Sequence, residues 1–313
     1  MAFLQHHRLK ITTLSPIHIG CNETYEPTNY VIDDDALYEF SPFDALQVLD
    51  ADERKKLQAI VDRKPDEEML KRVQGYFYQR RDALLAVSEH YLPVGEGIAA
   101  LYNRRIGQIA QRESQHKGVI NKLEIERTSY NSINRLPFFP GSSLKGAIRT
   151  ALLDHVNQQQ KLTDPREKNN ELQQRLFDYA KRDKRKKSSG DMHKDPMRLI
   201  SLADAHWQSS EGAASKIYFA LNRKKYHAPN SRLRESTGEK DGVSQLVECV
   251  PALRYQCLEG SLSLHNVESV KRHHDKLPAE KFRWSITEIA QACNVFYLPQ
   301  LEKERRLLEQ LRY

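Results

Sequence analysis

Pro137-Phe-Phe-Pro-Gly-Ser-Ser-Leu-Lys-Gly-Ala-Ile-Arg-Thr-Ala-Leu152 decides how the rest of this 313-residue chain is read. A Pro-Gly turn leads into Ser142 and Ser143, placed to cap a helix. Leu144, Ala147, Ile148, Ala151 and Leu152 then follow at the spacing of one buried helix face. Ser142, Lys145 and Arg149 recur at i, i+3 and i+7 and so share another face. Free backbone N–H groups and the positive end of the helix dipole favour an anion at such a start. A hydroxyl, an ammonium and a guanidinium add donors that suit phosphate oxygens. Two like charges four residues apart cost an isolated helix only about 0.2–0.5 kcal/mol, so their presence argues weakly for an anionic partner. On physical grounds alone a capped surface helix with solvated cations fits the same residues as well.

The stretch is not a nucleotide-binding P-loop, because Gly146 is followed by Ala147 and Ile148 where that motif needs Lys and Ser or Thr. It closely resembles the signature segment of the RAMP superfamily, the repeat-associated proteins of CRISPR effector complexes. In that family an aromatic-Pro-Gly-Ser-Ser-Leu-Lys-Gly-x-Ile-Arg run opens a helix. The N-terminus narrows the resemblance. Leu9-Lys-Ile-Thr-Thr-Leu-Ser-Pro-Ile-His-Ile-Gly20, Tyr30-Val-Ile-Asp-Asp-Asp-Ala-Leu-Tyr38 and Ser41-Pro-Phe-Asp-Ala-Leu46 are similar to the opening of the fifth subunit of type III-A (Csm) effectors.

Read physically, the first of those pieces is an alternating strand broken at Ser15-Pro16 and ended by Gly20. The second is a hairpin turned at Asp33-Asp34-Asp35, and the third is a helix capped by Ser41 with Pro42 at its first position. The three aspartates read as a polar turn and not as metal ligands. Residues 42–116 are mostly helical by pattern, with a loop marked by Pro93, Gly95 and Gly97, and Leu123–Ser129 alternates like a strand returning to a sheet. Strands separated by helical insertions suggest an α+β, ferredoxin-like domain.

Beyond the signature helix the chain turns polar, and Lys181-Arg-Asp-Lys-Arg-Lys-Lys187 runs into Ser188-Ser189-Gly190. A solvated helix end leading into a loop is the expectation there, and with it a boundary between a domain at 1–190 and a second at 191–313. Met197–Asp204, Lys216–Leu221, Val243–Val250 and Leu253–Leu258 read as strands, with Leu262–Leu264 beyond. The long basic loop Asn222–Gly242 stands in the place of the RAMP thumb, a protruding hairpin. An Asn-Arg pair (Asn222-Arg223) precedes it, and a Glu (Glu248) and an apolar-Pro step (Val250-Pro251) follow it. Arg223, Lys224, Lys225 and Tyr226 there combine phosphate-pairing cations with a flat ring able to stack on a base. At the C-terminus Ser285-Ile-Thr-Glu288 is a capping box, and Pro299 interrupts the helical pattern after it. No Gly-x-Gly occurs beyond residue 190, whereas the family carries a glycine-rich loop in the last strand of its second domain. The expectation is therefore two ferredoxin-like (RRM-like) RAMP domains, the second incomplete at its C-terminus.

Forty-nine Lys and Arg against 42 Asp and Glu give a net charge of +7, a modest surplus that permits RNA binding without demanding it. No run of 18 apolar residues occurs, and the start lacks the pattern of a signal peptide, so a cytoplasmic protein without a membrane partner is expected. The four cysteines are scattered, with no Cys-x-x-Cys pair. None of the 12 histidines falls in a His-x-x-x-His pattern; His18, near a strand end, is the one considered as a general base for RNA cleavage. No catalytic residue, metal ligand or cofactor is assigned. The resemblance implies an RNA-binding subunit that caps the 3′ end of a CRISPR guide RNA. Its implied contacts are Ser142, Ser143, Lys145, Arg149 and the thumb residues. Its implied partners are the neighbouring RAMP backbone and small helical subunits of the Csm complex, and host nucleases recruited for guide maturation. The competing expectations are a RAMP endoribonuclease that processes precursor guides and a backbone RAMP subunit that cleaves target RNA.

Overall fold

The first strand of the chain pairs with the last. In a computed structural model, which describes residues 3–107, 123–160, 168–180, 190–210, 212–221, 244–268 and 274–310, β1 (Leu4–Ile11) runs antiparallel to the strand Leu258–His265 along its whole length. After the Ser15-Pro16 break comes β2 (Gly20–Tyr25), so Gly20 opens a strand instead of closing one. β3 (Tyr30–Asp33) and β4 (Ala36–Glu39) form the expected hairpin, with Asp34 at φ 48° in the left-handed region that a tight turn requires. Asp33 accepts a bond from Arg81 Nε at 2.9 Å, which agrees with a structural role.

Five helices and one strand follow, in agreement with the helical pattern. In α1 (Pro42–Val48) the Ser41 hydroxyl accepts from Asp44 N, and α2 (Ala51–Val61) is held by a reciprocal capping box between Asp50 and Glu53. Then come α3 (Glu67–Tyr78), α4 (Arg81–Leu85), β5 (His90–Pro93) and α5 (Ile98–Arg105). β6 (Ile125–Thr128) returns to the sheet as expected, and β7 (Phe138–Phe139) leads directly into α6 (Gly141–Gln160). The remaining elements are α7 (Asn169–Leu176), β8 (Ile200–Leu202), β9 (Ala205–Trp207), β10 (Lys216–Leu221), β11 (Ser244–Cys249), β12 (Leu258–His265) and α8 (Ile286–Gln310).

Three sequence expectations are corrected here. Met197–Asp204 is a strand only at β8, because Asp195 accepts from Met197 N and Pro196 fixes the backbone of a 3-10 turn over Pro196–Leu199. Leu253–Leu258 is a turn as far as Cys257, with Leu258 opening β12: Leu253 and Gln256 are left-handed, and the Thr12 and Thr13 hydroxyls hold Gln256 N and Arg254 N. The alternating side chains could not report that backbone inversion. Pro299 lies inside α8, which continues through it, and next to it the Gln300 side-chain amide donates to Phe296 O at 2.8 Å. The capping box that starts α8 is as expected: Ser285 Oγ accepts from Glu288 N, and the Glu288 carboxylate accepts from Ser285 N. Replacing Ser285 with alanine is expected to cost about 1 kcal/mol, read as a lowered denaturant midpoint at unchanged m-value.

The chain divides into two compact units, and both are discontinuous. One comprises residues 1–11, 139–206 and 258–313; the other comprises 12–138 and 207–257. The linear division at residue 190 differs from this, because residues on both sides of it belong to the first unit. The physical reason is the β1–β12 pairing, which closes a sheet from the two ends of the sequence. In the first unit that sheet runs in the order β1-β12-β9-β7, with β8 also paired to β12. α6 and α8 pack on one face of it through Leu152, Val156, Ile289, Leu262, Leu264 and Ile200. An antiparallel sheet with helices on one face is a ferredoxin-like arrangement. The second unit holds a four-stranded sheet, β10-β11-β6-β2, and the three-stranded β3-β4-β5. α1 to α4 form their own apolar cluster around Phe40, Leu49, Phe77 and Leu84.

Candidate nucleic-acid interface

α6 begins one residue earlier than its serines suggest. Gly141 N donates to Asp204 Oδ1 at 2.7 Å, and Ser143 N and Leu144 N turn back onto Pro140 O. The cap is thus a carboxylate from the turn before β9, and Ser142 and Ser143 lie in the first helical turn, exposed. Gly141 is required by close approach: a Cβ there would lie 2.5 Å from Leu202 O. Sequence reading missed Asp204 because nothing local marks a cap that comes from 63 residues away.

Lys145 and Arg149 share a face, as their spacing predicts, but their surroundings differ. Lys145 is half-buried, and burial pushes its ammonium below the usual lysine range, with Asp195 opposing the shift and Arg149 reinforcing it. Arg149 is turned inward. Nη1 donates to both Asp195 oxygens at 2.9 and 3.1 Å, Nε to Gln173 Oε1 at 3.0 Å and Nη2 to the Tyr179 hydroxyl at 2.8 Å. The guanidinium also lies 5.4 Å from the centre of the Phe177 ring. It therefore ties α6 to α7 and to the segment around Asp195, and the structure separates it from the exposed serines. The remaining expected contacts, Arg223, Lys224, Lys225 and Tyr226, lie outside the described residues, as does the basic run 181–187. The strands that flank the expected thumb, β10 and β11, are antiparallel neighbours paired from Lys216–Cys249 to Leu221–Ser244.

The outer surface of α6 carries small residues. Ser142, Ser143, Gly146 and Thr150 line it, together with Ala147, which is exposed and not on the buried face where its spacing placed it, and a Cβ on Gly146 would meet nothing within 4 Å. A helix-interior glycine costs about 1 kcal/mol relative to alanine, and among the described residues no packing offsets it.

In the other unit, Glu248 of β11 is buried and accepts from Ser215 Oγ at 2.6 Å and from Tyr25 OH and Thr128 N at 3.3 Å. Burial pushes its carboxyl up, against the pull of these donors and of Arg127. His18 Nδ1 donates to Glu248 O at 2.8 Å, because a carbonyl can only accept, which leaves Nε2 at 3.7 Å from Glu126 Oε2. His18 is thus held by its own sheet. Among the described residues no group of three His, Cys, Asp or Glu side chains could hold a metal ion, and no helix is long and apolar enough to cross a membrane.

The family model of the RAMP superfamily matches residues 10–308. The chain belongs to the RAMP superfamily. Its α+β architecture and RAMP fold are those expected from the signature helix. Among solved structures this RAMP protein is similar to the crystal structure of T. onnurineus Csm5, at 17% identity and TM-score 0.57, covering 97% of this chain and 82% of that one. It is also similar to a chain of the cryo-EM structure of a Csm-crRNA-target RNA ternary complex of a type III-A CRISPR-Cas system. The identity there is 18% and the TM-score 0.50, with 93% of this chain and 71% of that chain covered. At such identities the likeness is one of fold. No curated protein matches the chain.

Proposed function

We propose that this RAMP protein is an RNA-binding subunit of a type III-A CRISPR effector complex, that it caps the 3′ end of the guide RNA, and that it supports guide maturation through recruited nucleases and not through chemistry of its own. The fold neighbours support the setting, since one is a Csm5 and the other is a chain of a Csm complex with crRNA and target RNA. The observation that carries the reading is the start of α6: exposed Ser142 and Ser143, Lys145 beside them, and an uncovered glycine that lets a polynucleotide backbone come close. Its partners are the guide RNA, the RAMP backbone subunits and the small helical subunits of the complex. His18, the histidine considered as a general base, is a sheet-bracing residue in this reading.

Sequencing the RNA ends carried by the purified complex, with and without this subunit, tests the reading. Longer, untrimmed 3′ ends are expected in its absence, and identical ends would refute the capping role. Two substitutions probe the surface itself. Lys145→Ala is expected to lower the salt slope of RNA binding by about 0.7, the single-strand value for one phosphate contact. Gly146→Leu is expected to leave the helix as stable or up to about 1 kcal/mol more stable while weakening RNA retention by obstructing the approach. RNA retention unchanged by the leucine would exclude this surface. Metal-independent cleavage of guide precursor that vanishes in His18→Ala would assign the chain to the ribonucleases instead.

A further inference from the structure

The sheet of the first unit buries only one of its faces. Leu9, Leu262, Leu264 and Ile200 turn toward α6 and α8, and Ala205 joins them, since a Cβ on Gly260 would touch the Ala205 side chain. Alternation therefore sends His6, Arg8 and Lys10 of β1 to the other side, with Glu259, Ser261, Ser263 and His265 of β12, Ser201 of β8 and His206 of β9. His6, Arg8, Lys10, Ser201 and His206 are exposed, so nothing described in the chain covers this face.

Its composition is one-sided. Arg8 and Lys10 are cations, His6, His206 and His265 are imidazoles, and Glu259 is the acid set among them by register. Arg8 forks onto Glu259 in an exposed pair, a kind of contact that adds little to stability in water and is readily exchanged for a phosphate. Along β1 the charged and imidazole side chains recur every second residue, about 6.6–6.8 Å apart, as a straight row. Hydroxyl and imidazole groups are linked beside it: His6 Nδ1 lies 2.7 Å from Ser263 Oγ, and Ser201 Oγ lies 3.0 Å from His265 Nε2. At the end of the row Phe3 is 54% exposed and stands edge-on to His265, with ring centres 5.6 Å apart. A flat apolar ring left in water beside a cationic row is the combination that single-stranded nucleic acid uses, with bases on the ring and phosphates on the cations.

We infer that the open sheet face of the first unit is a second RNA contact, with Arg8 and Lys10 pairing phosphates of a single strand and Phe3, backed by His265, stacking a base. The inference rests on the RNA-binding reading above but uses a surface separate from the start of α6. The occupant is single-stranded RNA because the row is cationic and the ring is exposed; an acidic protein would use the row but would have no need of the ring.

The test uses the full chain and a fluorescein-labelled oligouridylate, followed by anisotropy across a salt series. Replacing Arg8 and Lys10 together with serine is expected to lower the salt slope by about 1.4, two single-strand contacts. Phe3→Ala is expected to weaken binding at least about 5-fold, the low end for loss of one stacked base. The charge-conserving pair Arg8→Lys and Lys10→Arg is expected to keep the slope, which separates a charge effect from a folding defect. Unchanged slope and affinity in the serine and alanine variants, while Lys145→Ala still weakens binding, would overturn this inference and leave the α6 reading standing. No binding by the unaltered chain would overturn both. Normal oligouridylate binding by variants that no longer assemble with other subunits would make the face a protein contact, and would also overturn the inference.

Discussion

Arg149→Ala unfolds at a denaturant midpoint corresponding to a loss of about 3 kcal/mol, the low end for removing one partner of a buried ion pair. The expectation follows from what remains behind. The Asp195 side chain is 5% exposed and its charge is matched by the Arg149 guanidinium, so truncation leaves a buried carboxylate facing Lys145 alone. Gln173 and the Tyr179 hydroxyl lose their donor at the same time. The double variant Arg149→Met with Asp195→Asn is expected to recover part of the loss, because the amide oxygen put in place of the carboxylate still accepts from Met197 N and no buried charge remains. Urea titrations of the three proteins decide the matter. A loss under about 1 kcal/mol in Arg149→Ala, together with a collapse of RNA affinity, would show that the guanidinium serves phosphate and not the α6–α7 junction.

That arginine also marks where sequence reading stops. The helix, its apolar face and the shared side of Lys145 and Arg149 follow from a 3.6-residue period, which is a local property. So do the Ser41 cap, the Ser285–Glu288 box and the Asp34 turn, each made within four residues. What an exposed-looking charge pairs with is not local. Asp195 lies 46 residues from Arg149, Asp204 lies 63 from Gly141, and no pattern in either stretch points at the other. The division of the chain was out of reach for the same reason. A polar, basic run looks like a linker, yet the strand that completes the first unit's sheet comes from the opposite end of the chain. The left-handed Leu253 and Gln256 were invisible because an alternating apolar pattern describes side chains and not φ.

Arg127→Ala is expected to cost the second unit about 3–5 kcal/mol and to change how its stability depends on pH. Arg127 and Glu39 have side chains only 7% and 9% exposed and meet at 3.0 Å, and the guanidinium is sandwiched 4.2 and 4.0 Å from the ring centres of Tyr25 and Tyr130. Removing it leaves the buried Glu39 carboxylate to the more distant Arg135 guanidinium, 3.8 Å away, and empties the space between two rings. It also removes a positive charge from the neighbourhood of His90, whose imidazole is pushed down to about 4 by burial and by the charges of Arg127 and Arg135. An unfolded chain protonates that histidine near 6.5, so between about 6.5 and 4 the unfolded state binds more protons and falling pH favours it. The stabilisation by a neutral His90 is fully present above about 6.5 and gone below about 4. That gap sets a ceiling of about 3 kcal/mol, and screening at a half-buried ring reduces the expected loss to about 1–2 kcal/mol. Glu248 acts in the opposite direction, because burial raises its carboxyl above the ordinary value and stability falls as pH rises through the raised one. The pH curve of the unaltered protein is therefore a sum, and the difference between it and His90→Gln isolates the histidine. Urea midpoints compared between about pH 7 and about pH 4.5 should fall more for the parent than for His90→Gln, and the gap should narrow in the Arg127→Ala background. An equal fall in parent and His90→Gln would place the acid sensitivity of this unit elsewhere.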